Sequence, residues 1–435
     1  MDRATISNLG LQPLDVELRA EAKKHLWWSR FKGNVTQGID ANNDPVLKAS
    51  GAPIEVNNKL KTIGYGDRLL IPLERDLAGA PTLGDATLIG REEPSSRAYA
   101  KVGYNQVRHA IPVKLGEMDD AREAAFRAAE ENTQKLGWWH AQYENYNIIS
   151  AIYEGASENL YTSKTNPDYG QGLGIPRRFH PNMFYYAGST PALTKIGSAG
   201  KFPSAANIYT AITEATTPLS FCADLVFQAR IKVMKLGIKP LVTENGFKFW
   251  PWLITPEQAY TLMADSTFTK ALQSPAWQEH KSHPWVTGAI GYFGGFVFFE
   301  DVLSVRGFSG TAGSDLNILG SVTLVASEDL KQNPRFLPQG GHIAHGTATT
   351  KKNHVSIIFG ESFLGEALNE NLRFKYARED YDNWEGLGAA VKYGYERLDF
   401  VPEKHVKYLE GTESEVATYI TNVYNKSSAL IMTWQ

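Results

Sequence analysis

Between Leu115 and Glu154, large or apolar side chains recur at Met118, Ala121, Ala125, Ala128, Leu136, Trp139, Tyr143, Tyr146, Ile149 and Tyr153. These steps of three and four put them on one face of a helix. Glu123, Arg127, Glu130, Glu131 and Lys135 fall opposite, and from Met118 to Tyr153 there is no proline and one glycine, Gly137. Carboxylates at Glu117, Asp119, Asp120 and Glu123 suit the positive end of the helix dipole. The pattern predicts one helix over 115–154, half in water and roughly 55–60 Å long at about 1.5 Å per residue. Taken alone, it equally describes a long helix of a bundle or coiled coil.

What flanks that helix has a different rhythm. Residues 1–58 read as an arm: an amphipathic helix over Pro13–Phe31, then a run rich in Gly, Asn, Asp and Pro. Such a segment buries little by itself and must lie over something else, with Trp27 and Trp28 as its anchors. Over 59–114 the pattern predicts a hairpin of two strands, Ile63–Leu73 and Ser96–Leu115, joined by a glycine- and proline-rich tip. Pro72 and Pro112 restrict these strands to edge or two-stranded positions. A long projecting hairpin is only marginally stable alone and predicts a partner surface.

After an irregular stretch over 161–203, a helix is expected over Thr217–Leu236 and a strand pair over Lys239–Leu253. Thr255 and Pro256 have the signature of an N-cap followed by the first helical position. From Gly288 short apolar strands alternate with glycine-rich loops. A helix-like piece follows near Glu361–Leu368, and the chain ends in a strand-like ALIMTW. Helices and strands mix without strict alternation, which is an α+β class.

Composition narrows the functional classes. The chain has 435 residues, 43% hydrophobic and 21% charged, with a formal net charge of −3. That balance does not coat nucleic acid by bulk charge. The single cysteine, Cys222, excludes an intramolecular disulfide framework and suits a buried structural thiol. No stretch has the length and apolarity of a membrane span or a secretory leader, so a soluble protein of the cytoplasm is expected.

Candidate chemistry is sparse. Val242-Thr243-Glu244-Asn245-Gly246 resembles the nucleophile motif of retaining β-glycosidases, with Glu244 as nucleophile, and Asp382–Glu385 resembles a substrate-binding segment of the same enzymes. Such an enzyme needs a second carboxyl about 5–5.5 Å away. The Asn-Glu-Pro motif that supplies it is missing, as are eight βα units. GQGLGI at 170–175 and GSAGKF at 197–202 fail as phosphate loops. His280/His283 and His342/His345 lack a metalloprotease glutamate and read as surface histidines. Ten tryptophans and twenty tyrosines suit an obligate interface as well as a ligand site. No catalytic residue, metal or cofactor is predicted.

The order of the parts resembles the major capsid protein of tailed phages, the Hong Kong ninety-seven type fold shared with herpesvirus capsid floors. GDRLLIPL, GDATLIGREE, YNQVRHAIPVK, HPWVTGAIGYFGGFVFFEDV and DYDNWEGLGAAVKYGYERLDF are similar to segments of one branch, the coat proteins of N-four-like phages. The resemblance implies an N-arm (1–58), an E-loop hairpin (59–114), a P domain (115–235) with a spine helix (115–154), an A domain (236–360), and a C-terminal return to the P domain (361–435). It implies pentamers and hexamers of self in an icosahedral head enclosing double-stranded DNA. Portal, scaffold or decoration proteins would be partners, with no membrane. Trp27, Trp28, Arg68, Arg75, Asp76, Arg91, Glu92 and Glu93 are the candidate inter-subunit contacts. The tip from Leu73 to Pro94 has no lysine, so the lysine–asparagine weld of some related shells is not expected.

Overall fold

A computed structural model describes residues 16–39, 45–58, 68–73, 81–85, 87–89, 98–114, 121–160, 178–186, 192–197, 202–243, 246–272, 285–300, 307–309, 317–318, 343–348, 350–379, 384–399 and 425–435. The N-terminal segment forms a helix, α1 (16–25), a 3-10 turn (Trp27–Phe31), and the short strands β1 (Lys32–Asn34), β2 (Thr36–Ile39), β3 (Pro45–Lys48) and β4 (Ile54–Asn57). Then come β5 (Arg68–Leu73), β6 (Ala98–Gly103), β7 (Asn105–Lys114) and the long helix α2 (Ala121–Glu154). The middle of the chain holds β8 (Met183–Tyr186), β9 (Leu193–Lys195), α3 (Ala205–Glu214), α4 (Ala223–Leu236), β10 (Leu241–Val242), β11 (Lys248–Ile254), α5 (Pro256–Ala264) and α6 (Ser266–Leu272). Last are β12 (Gly291–Phe293), β13 (Phe296–Glu300), β14 (Phe308–Ser309), β15 (Asn317–Ile318), β16 (Asn353–Phe359), β17 (Leu364–Glu379), β18 (Trp384–Arg397) and β19 (Ser428–Trp434). The class is α+β.

Two sheets carry the fold. The first runs β1-β4-β17-β18-β7. Its centre is a hairpin of 16- and 14-residue strands, each about 50 Å long at roughly 3.3 Å per residue. Helix α2, with 34 residues, is about 50 Å long and packs on β18 and β7. Helix and hairpin therefore match in length, and each supplies the other's buried face. The second sheet runs β12-β13-β11-β16-β19-β8-β9, with β10 beside β11. It is covered by α4, α5 and α6, whose Leu225, Val226, Ala229, Leu262 and Phe268 share a core cluster with Trp252, Phe296 and Phe298.

Several sequence expectations shift here. The stretch beginning at Glu361 is not helical: Leu364–Glu379 is strand β17, paired with β18 on one side and β4 on the other. Its Leu, Glu and Ala content favours helix locally, but the facing strands supply a hydrogen-bond ladder that overrides propensity. The expected second hairpin strand is two strands. β6 pairs with β5, while β7 leaves after Tyr104 to edge the first sheet beside β18. Pro72 sits in the two-stranded pair and Pro112 in the edge strand, where a missing N–H is tolerated.

Helix α2 is half in water only in its first part, where Glu131 and Lys135 are exposed as expected; its C-terminal part is not. From Asn145 to Ser157 every residue is buried, because the sheet covers one side and the N-terminal segment the other. Thr255 caps α5, accepting from the Gln258 N–H at 3.3 Å while Gln258 Oε1 accepts from the Thr255 N–H at 3.0 Å. That helix stops at Ala264, and α6 starts afresh at Ser266. Cys222 is the N-cap residue of α4 and only half-buried, not a thiol within a helix. Burial pushes its thiol pKa up.

Candidate assembly surface

The described residues contain no cluster of metal-ligating side chains. No helix among them is long and apolar enough to cross a membrane. What they contain is a rigid junction and, apart from it, exposed apolar patches.

The junction joins the N-terminal segment, the long helix and the first sheet. Lys32 begins β1, and its ammonium lies 2.5 Å from Glu144 Oε1 on α2 and 2.8 Å from Glu366 Oε2 on β17. It also donates to the Tyr395 hydroxyl of β18 at 2.6 Å, and that hydroxyl donates to Glu144 Oε1 at 2.5 Å. Four elements thus meet at one half-buried charge. Burial alone would lower the Lys32 pKa, but the two carboxylates outweigh it and hold it above the usual lysine value. Burial pushes the Glu366 carboxyl up. Removing any one partner would leave a desolvated charge, the costly case for buried pairs.

One turn from the helix end, Arg397 of β18 closes α2. Its Nη1 donates to the carbonyls of Ile152 at 2.8 Å and Tyr153 at 3.4 Å, groups left unbonded at any helix C-terminus. Its Nε and Nη2 form a fork on Asp399, with contacts of 2.9 Å to Oδ1 and 2.9 Å to Oδ2. Glu55 plays a similar part at the arm. Buried, it accepts from the Ser50 N–H (2.8 Å), the Gly51 N–H (3.0 Å) and the Ser362 hydroxyl (2.8 Å). None of these residues was singled out in the sequence. The legible signal was Tyr393, Tyr395 and Arg397, two apart on one strand face.

The predicted contact residues fare differently. Trp28 is 1% exposed and buried inside its own chain, with ring centroids 5.4 Å from Phe359 and 6.1 Å from Phe363. Trp27 is half-buried against Phe299, at 5.6 Å. Both anchor the arm, but Trp28 has no face left for a neighbouring copy. That expectation is corrected because the aromatic cluster of the two sheets already fills its surroundings. Arg75, Asp76, Arg91, Glu92 and Glu93, and the side chain of Arg68, lie outside the described residues.

Glu244, the alternative nucleophile, also lies outside them, as do Asn245, Asp382, Asn383, His280, His283 and His342. The strands flanking Glu244 form a short antiparallel pair in a mixed sheet, which is not the barrel a β-glycosidase of that motif requires. His345, expected at the surface, is buried: its Nε2 lies 2.6 Å from the Ala215 carbonyl and its Nδ1 3.0 Å from the Ala348 N–H. It pins a loop.

Exposed large apolar side chains concentrate in two places. Leu83, Leu88 and Ile89 lie in the connection between β5 and β6, and Phe227, Ile231, Met234, Tyr260 and Met263 lie on α4 and α5. Exposed patches of this kind mark protein–protein surfaces.

Comparison with known proteins fits this picture. The sequence pattern of the phage capsid protein family matches residues 30–404, most of the chain. No curated protein matches. Among solved structures, the capsid of Ralstonia phage GP4 superposes with a TM-score of 0.56 at 14% identity, covering 93% of this chain and 90% of that one. The acid-stable capsid structure of Helicobacter pylori bacteriophage KHP30 gives 0.49 at 11% identity, over 94% and 90% of the two chains. The cyanophage Pam1 capsid gives 0.48 at 14%, over 93% and 91%. The fold is the Hong Kong ninety-seven type. A mixed fold built around one long helix, with apolar surface to cover, accords with that match: the chain belongs to the phage capsid protein family, and is a major capsid protein, a self-associating structural subunit of a tailed phage's icosahedral head.

Proposed function

We propose that copies of this chain close into pentamers and hexamers by overlap, the hairpin of one copy lying over the next. On this reading 1–58 is the N-arm, 59–114 the E-loop, 115–235 the P domain around its spine, 236–360 the A domain, and 361–435 the return to the P domain. The observation that carries it is the connection between β5 and β6, where Leu83, Leu88 and Ile89 are exposed in the single chain. Burying three such side chains would stabilise a contact by several kcal/mol at about 1.5–3 kcal/mol each. Charges at Arg68, Arg75, Asp76, Arg91, Glu92 and Glu93 would add pairs worth about 0–1 kcal/mol each, enough to set register when repeated around a shell.

The inner wall would enclose double-stranded DNA with weak, non-specific contact, in keeping with the net charge of −3. Portal, scaffold or decoration proteins complete the head. The segments similar to N-four-like coat proteins support membership of that branch. Since Leu73–Pro94 has no lysine, mature shells run as single chains on a denaturing gel; a covalent ladder would contradict this.

Sedimentation velocity followed by negative-stain microscopy of the fastest fraction tests the proposal. Shells, or rings of five and six that close into shells, are expected. Replacing Leu83, Leu88 and Ile89 together by serine should abolish them while leaving a folded subunit. Shells that form equally well with the three serines would overturn the overlap, and cleavage of an aryl glycoside lost on Glu244→Gln would overturn the whole reading.

A further inference from the structure

Resting on that reading, we infer that α4 and the start of α5 are the two halves of one head-to-tail contact between copies around a ring. The second sheet has two ends of opposite character. At one end β11 and β13 begin, with Trp250 paired to Phe296. Helix α4 lies across this end. A Cβ at Gly294 would meet Val226 at 3.0 Å, one at Gly295 would lie 3.9 Å from Arg230 Nε, and the Phe227 and Phe293 rings meet edge to face at 5.1 Å. The helix finishes there too, where the Trp250 indole donates to the Ile238 carbonyl at 3.0 Å.

Facing out from α4 are Phe227, Ile231 and Met234, spaced four and three apart and 45%, 47% and 59% exposed. Arg230, Lys232 and Lys235 flank them without an ion pair among the described residues. The stripe offers on the order of 300 Å² of apolar surface, the size of a functional patch on a monomer.

At the other end of the same strands, Ile254 pairs with Glu300, and α5 starts two residues on, at Pro256. Here the exposed groups among the described residues include Glu257, Glu300 and Tyr260, the last 76% exposed; Glu257 Oε2 also lies 3.6 Å from His354 Nδ1. The two end pairs lie four residues apart along the strands, about 13 Å at roughly 3.3 Å per residue. One end is therefore apolar with a basic rim, and the other aromatic with an acidic rim. A ring needs a heterologous interface, two different surfaces that fit each other. This pair is complementary in charge and in hydrophobicity, so the occupant of the α4 stripe is the α5 end of a second copy. The stripe falls short of the about 800 Å² per partner of a free-standing complex, which suits a contact repeated within a shell.

Charge reversal in the full chain, read by shell yield in sedimentation, tests the pairing. Arg230→Glu with Lys235→Glu should reduce shells at least about tenfold, because like charges then face each other. Glu257→Lys with Glu300→Lys should do the same, and all four together should restore assembly. Circular dichroism and melting of each variant establish that it folds; all sites are on the surface. As a second measurement in a Cys222→Ser background, Met234→Cys and Tyr260→Cys chains coexpressed in shells and then oxidised with copper–phenanthroline in air should form a mixed disulfide dimer that neither chain forms alone. Reversals that assemble like the parent, a fourfold variant that stays unassembled, or no mixed dimer would overturn the inference while leaving the capsid reading intact. A parent chain that never assembles, even beside a scaffold, would instead overturn that reading itself.

Discussion

Arg397 is where the long helix, the first sheet and the C-terminal segment depend on one side chain. Replacing it with methionine keeps most of the packing volume and removes the charge. Three losses follow. The fork onto Asp399 disappears, with its contacts at 2.9, 3.1 and 2.9 Å. The carbonyls of Ile152 and Tyr153 lose their donor. The Asp399 carboxylate, 5% exposed, keeps only the Asn425 amide at 2.8 Å among these partners. Breaking a buried pair by removing one partner costs about 3–5 kcal/mol, and the helix-end bonds add up to about 2 kcal/mol.

Against a typical domain stability of about 5–15 kcal/mol, that is a large fraction. Urea unfolding of the unassembled subunit, followed by the fluorescence of the buried Trp28, Trp252 and Trp434, measures it. Combining Arg397→Met with Asp399→Asn should recover part of the loss, because the orphaned charge is then gone while the Asn425 contact survives. The reasoning is refuted if Arg397→Met alone stays within about 1 kcal/mol of the parent, or if the double variant is no more stable than the single one.

Three further outcomes are expected. His140 is buried, and burial lowers its pKa to about 4 from 6.5; the unfolded chain therefore binds a proton first as the pH falls. Stability from this group is complete above pH 6.5 and declines towards pH 4 by about 3 kcal/mol, so His140→Gln should flatten the urea midpoint over that window. His180, also held well below its ordinary value by burial, would account for slope that remains. A Cβ at Gly394 would sit 2.2 Å from the Gly103 carbonyl oxygen, so Gly394→Ala should force the base of the β5–β6 pair away from β18 and cost about 1–3 kcal/mol or more, read by thermal melting. Trp28→Ala should cost about 3–5 kcal/mol through the cavity it leaves and expose the arm to limited proteolysis, whereas Trp138→Ala, at a 40% exposed site, should do neither.

Much of the architecture is legible in the chain because it is written in local pattern. A proline-free run with steps of three and four could only be a long helix. Thr255-Pro256 states a helix start in two residues, and Pro72 and Pro112 restrict their strands to places where an N–H is not required. The order of arm, hairpin, helix and mixed body is a property of sequence alone, and it points to a shell protein. The absence of a second convergent carboxylate motif beside Glu244 was equally readable.

Other features only the tertiary structure decided. Residues 364–379 have helix-forming composition and became a 16-residue strand, because β18 and β4 stand ready on either side to complete their hydrogen bonds. The C-terminal half of α2 looks half polar and is buried, because Asn147 meets the Tyr393 hydroxyl at 2.8 Å and Asn145 the His25 carbonyl at 3.2 Å. Lys32 lies 112 residues from Glu144 and 363 from Tyr395, so nothing in its neighbourhood along the chain announces the junction. Local periodicity reports which face of an element is apolar; which charges find one another depends on how distant segments are packed, and partial burial makes each of those charges depend on the others.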